Sequence, residues 1–110
     1  MIRGSLSANA QAAGTYWLPS SPTNYYGSRI TVGGTGTSTL IGSASLPYWL
    51  KVQRSGSTFI QSVSSDGSTW SVSGSSTISM PSSVYIGIEQ CTTNQTFGTV
   101  TFDNVTVTTP

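Results

Sequence analysis

Apolar side chains recur at every second position in a series of short runs, each bounded by Gly, Ser, Asn or Pro. That rhythm belongs to strands with one face turned inward, not to the 3.6-residue period of a helix. Composition points the same way. Serine and threonine together make 38 of the 110 residues (21 and 17), and their hydroxyls compete with a helical backbone for hydrogen bonds while suiting the polar face of a sheet.

Residues 15–19 set Tyr16 and Leu18 on one side and Trp17 on the other. Residues 25–32 set Tyr26, Ile30 and Val32 opposite Tyr25, Gly27 and Arg29, with the segment 19–24 as the turn between the two runs. The stretch 33–45 is rich in Gly, Ser and Thr and reads as a flexible loop carrying at most a short edge strand. Neither flank holds enough apolar residues for a core of its own, so the whole chain, 1–110, is expected to be one domain. After Pro47 the pattern sharpens. Leu50 and Val52 oppose Trp49, Lys51 and Gln53; the chain reverses at Ser55-Gly56-Ser57, and Phe59, Gln61 and Val63 share the inward face of the next strand. Asp66-Gly67 between two alternating runs predicts a type I′ hairpin, with φ > 0 at both central residues. Residues 76–80, the alternating run Val84, Ile86, Ile88, and a last strand through Val100, Phe102, Val105 and Val107, irregular at Asp103-Asn104, bring the total to eight or nine strands with no helix. The expected fold is therefore an all-β, antiparallel β-sandwich.

The charge inventory removes several functions. Arg3, Arg29, Lys51 and Arg54 face Asp66, Glu89 and Asp103, giving a net charge of +1, and four scattered cations provide no row able to neutralise successive phosphates. Nucleic acid is not an expected partner, nor is insertion into a membrane, since no stretch approaches the roughly 18 apolar residues of a span. Histidine is absent and the three carboxylates lie at least 14 residues apart, so acid–base catalysis lacks its usual parts and no enzyme is expected. A glycosidase would need a second carboxylate within about 5 to 10 Å of Glu89, a role neither Asp66 nor Asp103 suits. Gly33-Gly34-Thr35-Gly36 is followed by neither Lys-Ser/Thr nor a helix and fails as a phosphate loop. The single cysteine, Cys91, allows no internal disulfide and has no histidine or cation to activate it; it reads as a buried thiol. Asn94-Gln95-Thr96 and Asn104-Val105-Thr106 match the N-glycosylation pattern, which arises easily by chance in so hydroxyl-rich a chain.

Pro47-Tyr48-Trp49-Leu50-Lys51-Val52-Gln53-Arg54-Ser55-Gly56, Phe59, Ser64-Ser65-Asp66-Gly67-Ser68-Thr69-Trp70, Val84-Tyr85-Ile86-Gly87-Ile88 and Phe102-Asp103-Asn104-Val105 together resemble the concanavalin A-like (laminin G-like) sandwich domains of secreted bacterial proteins, including the "regulation of enolase" type. The resemblance covers residues 47–107. It implies a jelly-roll sandwich at the cell surface or outside the cell, and glycans as ligands. The opening Met1-Ile2-Arg3-Gly4-Ser5-Leu6-Ser7-Ala8-Asn9 is similar to a segment such domains carry in their interior, so the chain is expected to be the C-terminal part of a larger family domain. A sandwich lacking strands exposes a sheet edge and an apolar face, which implies completion by self-association into an oligomer or filament.

Within that frame Ser64-x-Asp66-Gly67-x-Thr69-Trp70 resembles a shortened Asp-box, a structural turn. Asp103-Asn104 reads as a structural motif too; one carboxylate with carbonyls makes a weak site, so no cofactor is expected, structural calcium being the minor alternative. The candidate carbohydrate-binding residues are the aromatics on the outward parity, Trp17, Tyr25, Trp49 and Tyr85, with the polar residues beside them, Arg29, Lys51, Gln53 and Glu89. Rings of this kind stack on the C–H faces of sugars while amides and charges meet the hydroxyls. The competing use of each ring is packing beneath a loop or between chains, and the competing use of Glu89 is an ion pair with Arg29 or Lys51. The expected function is a non-catalytic, extracellular, lectin-like module; the alternative is a self-assembling structural or adhesive subunit.

Overall fold

The structure is a computed structural model that describes residues 1–19, 21–90 and 98–109. Cys91 and the Asn94 glycosylation triplet lie outside the described residues.

The chain is all-β, with two antiparallel sheets facing each other and no helix among the described residues. Eight strands are formed: β1 (Ile2–Arg3), β2 (Ala12–Leu18), β3 (Thr23–Arg29), β4 (Thr37–Ser43), β5 (Trp49–Ser55), β6 (Thr58–Ser64), β7 (Ser71–Thr77) and β8 (Tyr85–Ile86). One sheet has the order β4-β3-β2-β1-β8 and the other β5-β6-β7. Each is a meander of consecutive strands, and the chain changes sheets only after β4 and after β7. The second crossing brings β8 back beside β1, where Ile2 pairs with Ile86 and Arg3 with Tyr85.

Turn chemistry accounts for the second sheet. Ser55 pairs with Thr58 across Gly56-Ser57, and Gly56 alone has a positive φ of 59°, the pattern of a type II′ turn, which requires glycine at its first central position. The β6–β7 connection differs from the expected I′ hairpin. It spans residues 65–70, and only Gly67 has a positive φ, 75°. Side-chain bonds organise this longer loop instead. Ser64 Oγ accepts from the amides of Asp66 and Gly67, and Asp66 Oδ1 accepts from Ser64 Oγ and from the amides of Ser68 and Thr69. These bonds hold the Asp66 carboxyl well below the usual carboxylate range, the Thr69 amide first and the Ser68 amide next.

The inner faces meet over Ile2, Ala13, Phe59, Ile78 and Met80, with Val52 and Val84 packed against them. Phe59, Gln61 and Val63 point inward as their alternation predicts. Across the sandwich β2 lies over β5 and β6, and β3 over β7. The sheets come close at Gly74, where a Cβ would come within 2.4 Å of Tyr26 Cζ. Glycine is there because the Tyr26 ring occupies the space a side chain would need. The core also holds polar groups: Asn24 and Gln61 are fully buried, and neither side-chain amide finds a hydrogen-bond partner among the described residues.

Three further expectations are corrected. The stretch 33–45 contains a full seven-residue edge strand, β4, paired with β3 through a bulge at Asn24/Tyr25. β3 ends at Arg29, so Ile30 and Val32 are exposed beyond it. No strand forms over 100–107: Val100, Phe102, Val105 and Val107 are all exposed. The apolar parity of that segment changes between Phe102 and Val105, and Asn104 has a φ of 51°, so no single face continues through it.

Candidate ligand-binding face

The outer face of the five-stranded sheet is built from rows of residues in register. The first row runs Tyr85, Arg3, Ala12, Arg29 across β8, β1, β2 and β3. Two residues along β2, Gly14 pairs with Gly27; two further, Tyr16 pairs with Tyr25, which in turn pairs with Leu40 of β4. The floor between an aromatic wall and a cationic wall is therefore a row of Met1, Gly14 and Gly27, in which the Met1 side chain lies over Gly14. The result is an open depression of about 370 Å³, lined among others by Arg3, Gly14, Tyr16, Gly27, Arg29 and Glu89.

Close approach explains the floor. A Cβ on Gly27 would stand 2.9 Å from the Thr37 carbonyl oxygen, so a side chain there would push β4 away, while the Tyr16 ring at 3.5 Å would be in ordinary contact. The Tyr16 and Tyr25 rings are stacked, with centroids 5.4 Å apart and planes 6° from parallel, and the Tyr16 hydroxyl lies 2.6 Å from Ser38 Oγ in a hydrogen bond. Offset parallel stacking of this kind fixes ring orientation. At the other wall both guanidiniums hold the loop after β1: Arg3 Nη2 donates to the Ser7 carbonyl at 2.6 Å, and Arg29 Nη1 donates to the carbonyls of Ala8 at 2.7 Å and Ala10 at 3.3 Å. Glu89 closes the depression and a smaller one beside it that Tyr85 and Arg3 also line.

The eight candidate residues fall in three places. Tyr25, Arg29, Tyr85 and Glu89 share the face just described. Trp49, Lys51 and Gln53 lie on the outer face of the three-stranded sheet, at the opposite side of the sandwich. There the Trp49 ring packs beneath the Asp66 loop, so closely that a Cβ on Gly67 would stand 2.8 Å from it, and Lys51 Nζ sits 4.1 Å from the centre of the Trp70 ring in a cation–π contact. Both indoles are thus engaged by their own subunit. Trp17 corrects the expected parity: it pairs with buried Asn24, shares its face with Ala13 of the core, and donates from Nε1 to the Ala44 carbonyl at 3.1 Å. Tyr16, not Trp17, faces outward. Neither expected countercharge pairs with Glu89 directly, since Lys51 stacks on Trp70 across the sandwich and Arg29 is bonded to carbonyls.

Sequence reasoning overlooked Arg3, Gly14, Tyr16 and Gly27. Their signal is the parity Ala12, Gly14, Tyr16, two residues apart, which makes the opposite parity, with Ala13, the one that fits a close sheet-to-sheet approach. Among the described residues no three His, Cys, Asp or Glu side chains cluster in a way that could hold a metal ion. Comparison with family models, with curated proteins and with solved structures finds no match to this chain.

Proposed function

We propose that the protein is a non-catalytic carbohydrate-binding module that works outside the cell or at its surface and uses the outer face of the five-stranded sheet. The observation that carries this reading is the parallel Tyr16–Tyr25 pair standing beside the Gly14–Gly27 floor, with guanidiniums and a carboxylate within the same depression. Aromatic rings take the C–H face of a sugar, and Arg29, Ser38 and Glu89 offer donors and acceptors to hydroxyls. The resemblance of residues 47–107 to concanavalin A-like modules supports the same class of ligand. Asp66 supports no catalytic partnership with Glu89, because its Oδ1 is engaged by loop amides and its loop joins β6 to β7 in the other sheet.

A glycan array probed with the parent chain and with Tyr25→Ala and Trp49→Ala variants tests the reading. Binding that is lost in Tyr25→Ala and kept in folded Trp49→Ala supports it; a parent chain that binds nothing, or binding that depends on Trp49 alone, overturns it.

A second reading, a self-assembling or adhesive subunit, has its own observation. β4 is a seven-residue edge strand with no charge and no proline, and its four residues Thr37 to Leu40 are all exposed. Such an edge lacks the usual devices against pairing with another chain, and two copies joined there would make one continuous sheet. Light scattering decides it: a dimer or larger species that Thr39→Lys converts to monomer supports assembly through β4, and a monomeric parent at high concentration removes it.

A further inference from the structure

The cationic wall carries the inference further than neutral sugar binding. Arg3 and Arg29 flank Ala12 in a single register row, two strand spacings apart, or about 10 Å between backbones. Like charges set side by side on a sheet repel each other, and this chain has only four cations to place. Their bonds go to main-chain carbonyls of residues 7–10, which leave the positive charges uncancelled by any carboxylate. Each guanidinium has one terminal nitrogen, Nη1 of Arg3 and Nη2 of Arg29, with no acceptor among the described residues, and both arginines line the depression. The Tyr16–Tyr25 wall lies four residues along the strands from this row, about 13 Å. A ligand spanning the floor therefore meets aromatic rings at one end and paired cations at the other.

Resting on the carbohydrate-binding reading above, we infer that the face selects acidic saccharides, with a sugar ring against Tyr16 and Tyr25 and an anionic substituent, a uronate carboxylate or a sulfate ester, received between Arg3 and Arg29. Each arginine brings one terminal NH₂ group without an acceptor among the described residues, and such charge-assisted donors suit both kinds of anionic oxygen. Glu89 opposes this selection from the β8 side of the same depression, where the Met1 ammonium offsets it, and the two guanidiniums set the direction. The carboxylate also confines the anionic group to the Ala12 row, since a charge placed beyond Arg3 would meet Glu89.

The test is a paired measurement on neutral, uronate-containing and sulfated oligosaccharides of matched linkage, read by affinity at low and at high salt. Acidic glycans are expected to bind about tenfold tighter than their neutral counterparts at low salt, with the preference largely screened at 0.5 M salt. Arg29→Gln lowers affinity for the acidic glycans about tenfold, and Glu89→Gln raises it several-fold, a gain that a variant merely damaged in folding cannot produce. The uronate and sulfate arms separate the two sources of charge. Equal affinity for neutral and acidic glycans, or a preference unmoved by Glu89→Gln and by salt, overturns the inference and leaves the carbohydrate reading standing. Binding to no glycan of any charge overturns both.

Discussion

Replacing Gly74 by alanine should destabilise the protein, against the ordinary trend for such a change in a strand. Gly→Ala at a compatible extended position stabilises by about 0.5 to 1 kcal/mol, because it restricts the unfolded chain. At Gly74 the added Cβ would lie 2.4, 2.6 and 2.8 Å from Cζ, Cε2 and Cε1 of Tyr26, all inside any tolerable contact. The ring cannot swing aside freely, since it stands between β3 and β7 where the two sheets meet. Overpacking of this kind costs about 1 to 3 kcal/mol, which less the entropic gain leaves a net loss of about 1 kcal/mol, or a Tm lowered by about 4 to 6 °C for a domain of this size. Urea and thermal denaturation of four proteins, the parent, Gly74→Ala, Tyr26→Ala and the double variant, close a cycle. With the ring gone, Gly74→Ala should become neutral or mildly stabilising. A Gly74→Ala protein as stable as the parent, or an unchanged penalty in the Tyr26→Ala background, would refute the face-to-face packing of the sheets at this point.

Two other perturbations follow from the interior and from the long loop. Gln61→Leu should raise stability by about 1 to 2 kcal/mol, since a fully buried amide without partners is replaced by apolar volume beside Val52 and Gly74; a loss in chemical denaturation would mean that the amide holds a bound group. Asp66→Asn should flatten the acid limb of the stability curve. The folded-state pKa of Asp66 lies below its unfolded value near 3.9, so its contribution is complete above that pH and is lost as pH falls toward the folded pKa. Parent and variant should therefore differ at pH 6 and converge as denaturation curves are taken down to pH 2; a difference that stays constant with pH would contradict the loop's dependence on the carboxylate.

The parts of this fold that could be read from sequence are those where large side chains mark one strand face more strongly than the other. Phe59, Gln61 and Val63 alternate on one face of β6 and are buried, while the small serines of the opposite parity, Ser62 and Ser64, are buried too but add no competing apolar face. Ser64 and Asp66 were legible as parts of a structural turn through the Asp-box resemblance, and their short side chains accept from loop amides, in a six-residue loop instead of the expected type I′ hairpin. β4 was not legible, for a physical reason: an edge strand exposed over Thr37 to Leu40 has no buried face to impose alternation, so its hydroxyl residues look like a loop. Tyr16-Trp17-Leu18 offered three large apolar residues in succession, and either parity could be packed inward. Only the small neighbours Ala13 and Gly14 and the anchoring of Trp17 on the Ala44 carbonyl decide the matter, and the second of these is a long-range contact. The candidate face inherited that ambiguity. Half of the expected residues meet there, while Trp49, Lys51 and Gln53 lie across the sandwich because β5 belongs to the other sheet.

Backbone amide shift mapping by NMR during titration with an acidic oligosaccharide tests the central claim most directly, since it locates a ligand without presuming which side chain matters. The account predicts perturbations at Arg3, Gly14, Tyr16, Tyr25, Gly27 and Arg29, on one face of the five-stranded sheet, and none around Trp49, Lys51 and Gln53. Perturbations centred on β5 and the Asp66 loop, or none on either face at saturating glycan, would contradict it.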